Sequence, residues 1–136
     1  MVPRATPGDP ALVLIVEDDR DNREACAEYL RFSGFHVEEA RDGIEALEKG
    51  LDLLPDLILM DLAIPDVDGC EVTRRLRRNP KTRHIPIVAL TALVMPTDVQ
   101  RALEAGCNAF IEKPCHPDQL LIEIQRQLKQ REKLVH

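Results

Sequence analysis

Short aliphatic runs alternate with stretches of helical period along this chain, and the runs end on polar residues. Leu12 to Val16, about His36 to Ala40, Leu57 to Met60, Pro86 to Leu90 and about Ala109 to Ile111 read as five strands. Helices are expected from about Arg20 to Ser33, from Asp42, from Asp68 to about Arg78, from Thr97, and on to about Lys133. Their inward residues should be Ala25, Tyr29 and Phe32, then Ile44, Leu47 and Leu51, then Val99, Ala102 and Leu103, and last Leu121, Ile124 and Leu128.

Local punctuation supports those boundaries. Gly34 and Gly106 suit the left-handed position past a helix end. Asp42 with Glu45, Asp68 with Glu71, and Thr97 with Gln100 have capping-box spacing, and Asn79-Pro80 breaks the third helix. Pro117 suits a first helical position, where a missing N–H does no harm. A helix after every strand at this spacing is the pattern of βαβ crossovers, hence an α/β, doubly wound parallel sheet.

In such a sheet, sites form beyond the carboxyl ends of the strands. That edge receives Glu17-Asp18-Asp19, Asp61, Thr91 and Lys113. Carboxylates gathered there repel: two unit charges about 4 Å apart cost roughly 4 kcal/mol at an effective dielectric of about 20. A hard divalent cation, Mg2+, relieves that repulsion. Asp61 is the expected nucleophile, a carboxylate able to take up a phosphoryl group once a metal offsets the charge on both reactants. Asp18, helped by Glu17, would hold the metal, while Lys113 and Thr91 would bind the phosphoryl oxygens. Any one of these acids could merely cap the next helix; four suitable residues at four strand ends argue for a site.

Composition narrows the classes. A chain of 136 residues suits one domain, and with few aromatics its core must be aliphatic. The net charge of −6 is uneven: six basic against seventeen acidic residues precede position 69, and twelve against seven follow. The basic cluster of Arg74, Arg75, Arg77, Arg78, Lys81 and Arg83 reads as a solvated helix face; without interleaved aromatics it argues against direct nucleic-acid binding. Cys26, Cys70, Cys107 and Cys115 form no CxxC pair, as expected of reduced thiols in a cytoplasmic protein. His36, His84, His116 and His136 have no metal-ligand spacing. No run has signal-peptide or membrane-spanning character, so no membrane partner is expected.

V-E-D-D at 16–19, M-D-L-A-I-P-D-V-D-G at 60–69, L-T-A at 90–92 and K-P at 113–114 together give the chain a close resemblance to response-regulator receiver domains of the CheY-like superfamily. The resemblance spans about residues 11–130. It implies a flavodoxin-like sheet of order 2-1-3-4-5 with five helices. Residues 1–10 would be a flexible lead-in, 11–133 the receiver and 134–136 a tail.

By position, the resemblance implies phosphorylation of Asp61, with Mg2+ held by Glu17, Asp18, Asp61 and the Ala63 backbone carbonyl. Thr91, Ala92 and Lys113 would border the phosphoryl group, and Thr91 with Phe110 would form the switch. Asp19 is left to cap a helix, and the Lys113–Pro114 bond would be cis. Ala63 and Leu93, both apolar, stand where polar side chains can guide water, so self-dephosphorylation should be slow. The donor would be a histidine kinase or histidine phosphotransfer protein, and the output a protein contact.

Two rival classes fare worse. An aspartyl-phosphate phosphatase of α/β fold would need a second aspartate at position 63, and a flavodoxin-like cofactor carrier would meet repulsion from Glu17-Asp18-Asp19. A receiver excised from a larger hybrid kinase or regulator fits the same residues.

Overall fold

The computed structural model describes residues 10–92 and 95–135, residues 132–135 by backbone alone. Five strands alternate with five helices: β1 (Leu12–Val16), α1 (Arg20–Phe32), β2 (His36–Ala40), α2 (Gly43–Leu53), β3 (Leu57–Asp61), α3 (Gly69–Arg78), β4 (Ile87–Thr91), α4 (Pro96–Ala105), β5 (Ala109–Glu112) and α5 (Pro117–Val135). The strands are all parallel, in the order β2-β1-β3-β4-β5. This is the doubly wound architecture that the sequence implies. Residues 1–9 of the expected lead-in, and Leu93, lie outside the described residues.

Side-chain alternation along the strands builds two cores. Leu14, Val16, Ile58, Met60, Ile87 and Ala89 pack under Ala46, Val72, Leu76 and Ala102 of α2, α3 and α4. Val13, Ile15, Leu57, Leu59, Val88 and Ile111 pack against Ala27 and Leu30 of α1 and Leu120 and Ile124 of α5. Both faces are covered, which is why the central strands β1, β3 and β4 are aliphatic up to their ends, while the edge strands β2 and β5 carry exposed polar residues. Each fully buried Leu or Ile contributes roughly 1.5–3 kcal/mol. The core therefore supplies the stability that holds the charged sheet edge in place.

The helix phases depart from expectation in three places. On α1, Ala27 and Leu30 are buried, Tyr29 is half-buried, Ala25 is exposed and Phe32 is 91% exposed. The inward face there also takes Arg23, whose guanidinium donates to the Glu17 carbonyl (2.9 Å) and to Glu39 Oε1 (3.2 Å), so apolar residues alone misplace it. On α2, Gly43, Ala46 and Gly50 are buried, whereas Ile44 and Leu51 are exposed and Leu47 is half-buried. Close packing on α3 is the reason: a Cβ at Gly43 would lie 2.9 Å from Val72 Cγ2, and one at Gly50 3.2 Å from Leu76 Cδ2.

On α4, Met95 rather than Thr97 is the N-cap, its amide donating to Asp98 Oδ2 (3.4 Å). Pro96 occupies the first helical position, which places Thr97 inside the helix. Ala102 is buried and Val99 half-buried, but Leu103 is exposed. Other expectations hold more closely. Asp42 Oδ1 accepts from the Glu45 amide, with Glu45 reaching back to the Arg41 amide, and Gly106 closes α4 at φ 116°. Asp68 caps α3 through the Cys70 amide, while Glu71 turns to Arg74 and Arg75 instead of back to the cap.

Candidate functional site

Strand register delivers the polar residues to one place. Asp61 ends β3 opposite Leu90, Thr91 ends β4 opposite Glu112, and the Lys113 amide donates to the Thr91 carbonyl (2.7 Å). Glu17, directly after β1, is fixed by its amide bond to the Ala40 carbonyl (3.0 Å) and by Arg23 on its own carbonyl. Carboxylate oxygens of Glu17, Asp18 and Asp61 lie within 4.8 Å of one another. Glu17 and Asp61 are buried, and Asp18 is exposed at the mouth.

Lys113 reaches into this cluster. Its Nζ lies 2.6 Å from Glu17 Oε1 and 2.9 Å from Asp61 Oδ2. The other Asp61 oxygen, Oδ1, accepts from the Ala63 amide (2.9 Å). Lys113–Pro114 is a cis peptide. Thr91 is buried, Ala92 is exposed beside it, and Phe110 is exposed on β5.

The two buried acids are shifted in opposite directions. Burial, and then the neighbouring Asp61 carboxylate, push the Glu17 carboxyl up to about 7 against the opposing pull of Lys113. Burial works against ionisation of Asp61 as well. Hydrogen bonds from Glu17, Lys113 and the Ala63 amide outweigh it and hold Asp61 below the ordinary carboxylate range. Of the two buried acids, Asp61 is therefore the one better suited to stay an anion. Lys113 is raised: burial lowers it, but its bonds to Glu17 and Asp61 more than compensate.

The loop after Asp61 is tied down at several points. Ile64 is buried in the core, Asp66 accepts from the Gly43 and Ile44 amides (2.7 and 3.0 Å), and Asp68 pairs with Arg101 of α4 (2.9 Å). Gly69 packs so closely that a Cβ would lie 2.8 Å from the Asp61 carbonyl oxygen. Asp19 caps α1 through the Asp21 amide (3.0 Å), as expected. Arg23, Asp66 and Arg101 were not legible as site neighbours, because nothing in local spacing links Asp66 to a helix more than twenty residues upstream.

A sequence profile described as Response regulator receiver domain matches residues 13–125. The chain belongs to the response regulator receiver domain family. This receiver domain is 42% identical over 105 residues to the polar-differentiation response regulator DivK of Brucella anthropi, covering 77% of this chain and 85% of that one. Among solved structures it is similar to a CheY-like receiver domain protein from Methanospirillum hungatei JF-1, with TM-score 0.86, 29% identity, and 91% and 98% of the two chains covered. It is also similar to the receiver domain of sensor histidine kinase PA1611 from Pseudomonas aeruginosa PAO1, with TM-score 0.83, 34% identity, and 88% and 98% covered. That structure holds a magnesium ion coordinated in its active-site cleft.

As a receiver domain the chain is a phosphoacceptor signalling module of two-component systems, a class that is typically not a turnover enzyme and that works with a histidine kinase or phosphotransfer partner. The acidic triad suits Mg2+: its donors are all hard carboxylate oxygens, and two of them, from Glu17 and Asp61, already hold the Lys113 ammonium. Among the described residues no helix is long and apolar enough to cross a membrane.

Proposed function

We propose that Asp61 accepts a phosphoryl group from a phosphohistidine of a histidine kinase or histidine phosphotransfer protein. A carboxylate oxygen of Asp61 bonds to phosphorus as the P–N bond to the imidazole breaks, and the imidazole leaves with that electron pair. The product is an acyl phosphate on this chain. Glu17, Asp18, Asp61 and the Ala63 carbonyl would hold Mg2+, which when bound offsets negative charge on both reactants. The observation that carries this reading is that Asp61 is buried, held ionised by Lys113 and the Ala63 amide, and set among the other acids.

Lys113, bonded to Asp61, would transfer that bond to a phosphoryl oxygen, and the Thr91 hydroxyl would donate a second one. The small Ala92 leaves the approach open. Movement of Thr91 toward the phosphoryl group makes room for Phe110 to turn inward, which changes the face presented to a protein target. Phenylalanine offers that target packing without a hydroxyl. No nucleic acid or membrane takes part, and the module works in the cytoplasm. Ala63 carries no group to activate water, which favours a long-lived acyl phosphate and disfavours a phosphatase cycle.

The test is phosphotransfer from a phosphohistidine donor in the presence of Mg2+, comparing the native chain with Asp61→Asn. Stoichiometric labelling that is lost in the variant supports the reading. Equal labelling of both rejects it.

A further inference from the structure

We propose that Asp66 is a positioning residue for the metal site, clamping the loop that carries Ala63 onto the start of α2. The inference rests on the proposed Mg2+ site. Between Asp61 and Gly69 only Ile64 is buried; Ala63, Pro65, Asp66 and Asp68 are exposed. Such a segment keeps one conformation only if something outside it holds it. Asp66 does so with both carboxylate oxygens, Oδ1 accepting from the Gly43 amide (2.7 Å) and Oδ2 from the Ile44 amide (3.0 Å).

These bonds are not ordinary capping. Asp42 already caps α2 from within, through the Glu45 amide (2.8 Å). Asp66 takes the two remaining amides of the first turn from across the fold. The fit is tight: a Cβ at position 43 would lie 3.2 Å from Asp66 Oδ1 and 3.0 Å from Val67 Cβ. The carboxylate also meets the positive end of the helix dipole, which favours the anion. Three residues upstream lies Ala63, whose amide bonds Asp61 Oδ1 and whose carbonyl is the proposed ligand. Fixing Asp66 thus limits where that carbonyl can go.

The test is calorimetric titration of the full chain with Mg2+, with no phosphodonor present. Asp66→Ala is expected to weaken binding about 10-fold, the lower end of the range for residues that orient metal ligands. Asp66→Asn, which keeps one acceptor oxygen, should fall between it and the native chain. Asp42→Ala removes a cap from the same helix without touching the loop, so it should lower the melting temperature yet leave Mg2+ affinity unchanged. Native-like affinity in Asp66→Ala, or equal weakening in Asp42→Ala, overturns the inference while the metal site stands. A native chain that binds no Mg2+ overturns the metal site and the inference with it.

Discussion

Lys113 and Glu17 are joined by a 2.6 Å contact, shorter than the 2.9 Å contact the same ammonium makes with Asp61. The lysine therefore neutralises the carboxylates that the metal is expected to use, and the two cations compete for one pocket of negative potential. Replacing Lys113 by Met should tighten Mg2+ binding about 3- to 10-fold, since the carboxylates lose their internal counter-charge. The same change should slow labelling by a small phosphodonor about 100-fold, because a donor to the phosphoryl oxygens is gone. Calorimetry and labelling rates check the two arms separately. Weaker Mg2+ binding in the variant would contradict the competition.

Ala63 is exposed two residues past Asp61, the proposed phosphoacceptor. Its methyl group can neither orient nor activate water. An Ala63→Asn variant places an amide there, and acyl-phosphate decay should quicken by roughly 10-fold, a small part of what positioning a reactant can supply. Decay curves in excess Mg2+ after removal of the donor measure this. A native chain that loses its phosphoryl group as fast as the variant would show that this position does not limit hydrolysis.

Cys107 supplies a pH dependence remote from the site. Burial pushes its thiol up to about 11, partly offset by the Thr73 hydroxyl 3.8 Å away. Below the unfolded value of about 8.5 the thiol is protonated in both states. Above it the unfolded chain releases the proton and the folded chain keeps it, so this thiol's contribution to stability falls as pH rises toward about 11. Urea unfolding at neutral and alkaline pH should show a smaller alkaline loss in Cys107→Ala than in the native chain. In the folded native protein, iodoacetamide should modify Cys107 far more slowly than in urea. An equal alkaline loss in both chains would count against the assignment.

The strands and their polar ends were legible because a sheet covered on both faces needs unbroken aliphatic runs, and parallel topology sends every strand's end to one edge. Glu17, Asp18 and Asp19, with Asp61, Thr91 and Lys113, were expected at that edge on this logic, and the family resemblance set Asp19 aside as a helix cap. What escaped the pattern lies where helices approach closely or where a polar residue faces inward. Arg23 turns toward Glu39 and the Glu17 carbonyl, so the apolar stripe on α1 misreads its phase by nearly a turn's edge. On α2 the buried face is Gly43, Ala46 and Gly50, small residues that a hydrophobic pattern passes over in favour of Ile44 and Leu51. The Asp66 clamp joins segments distant in sequence, and no local spacing announces it.

The most direct measurement is the location of the modification. The native chain, treated with a small phosphodonor and Mg2+, should gain one phosphoryl group by intact mass, and peptide mapping should place it on Asp61. Modification at any other side chain, or none while Mg2+ is bound, would contradict the account.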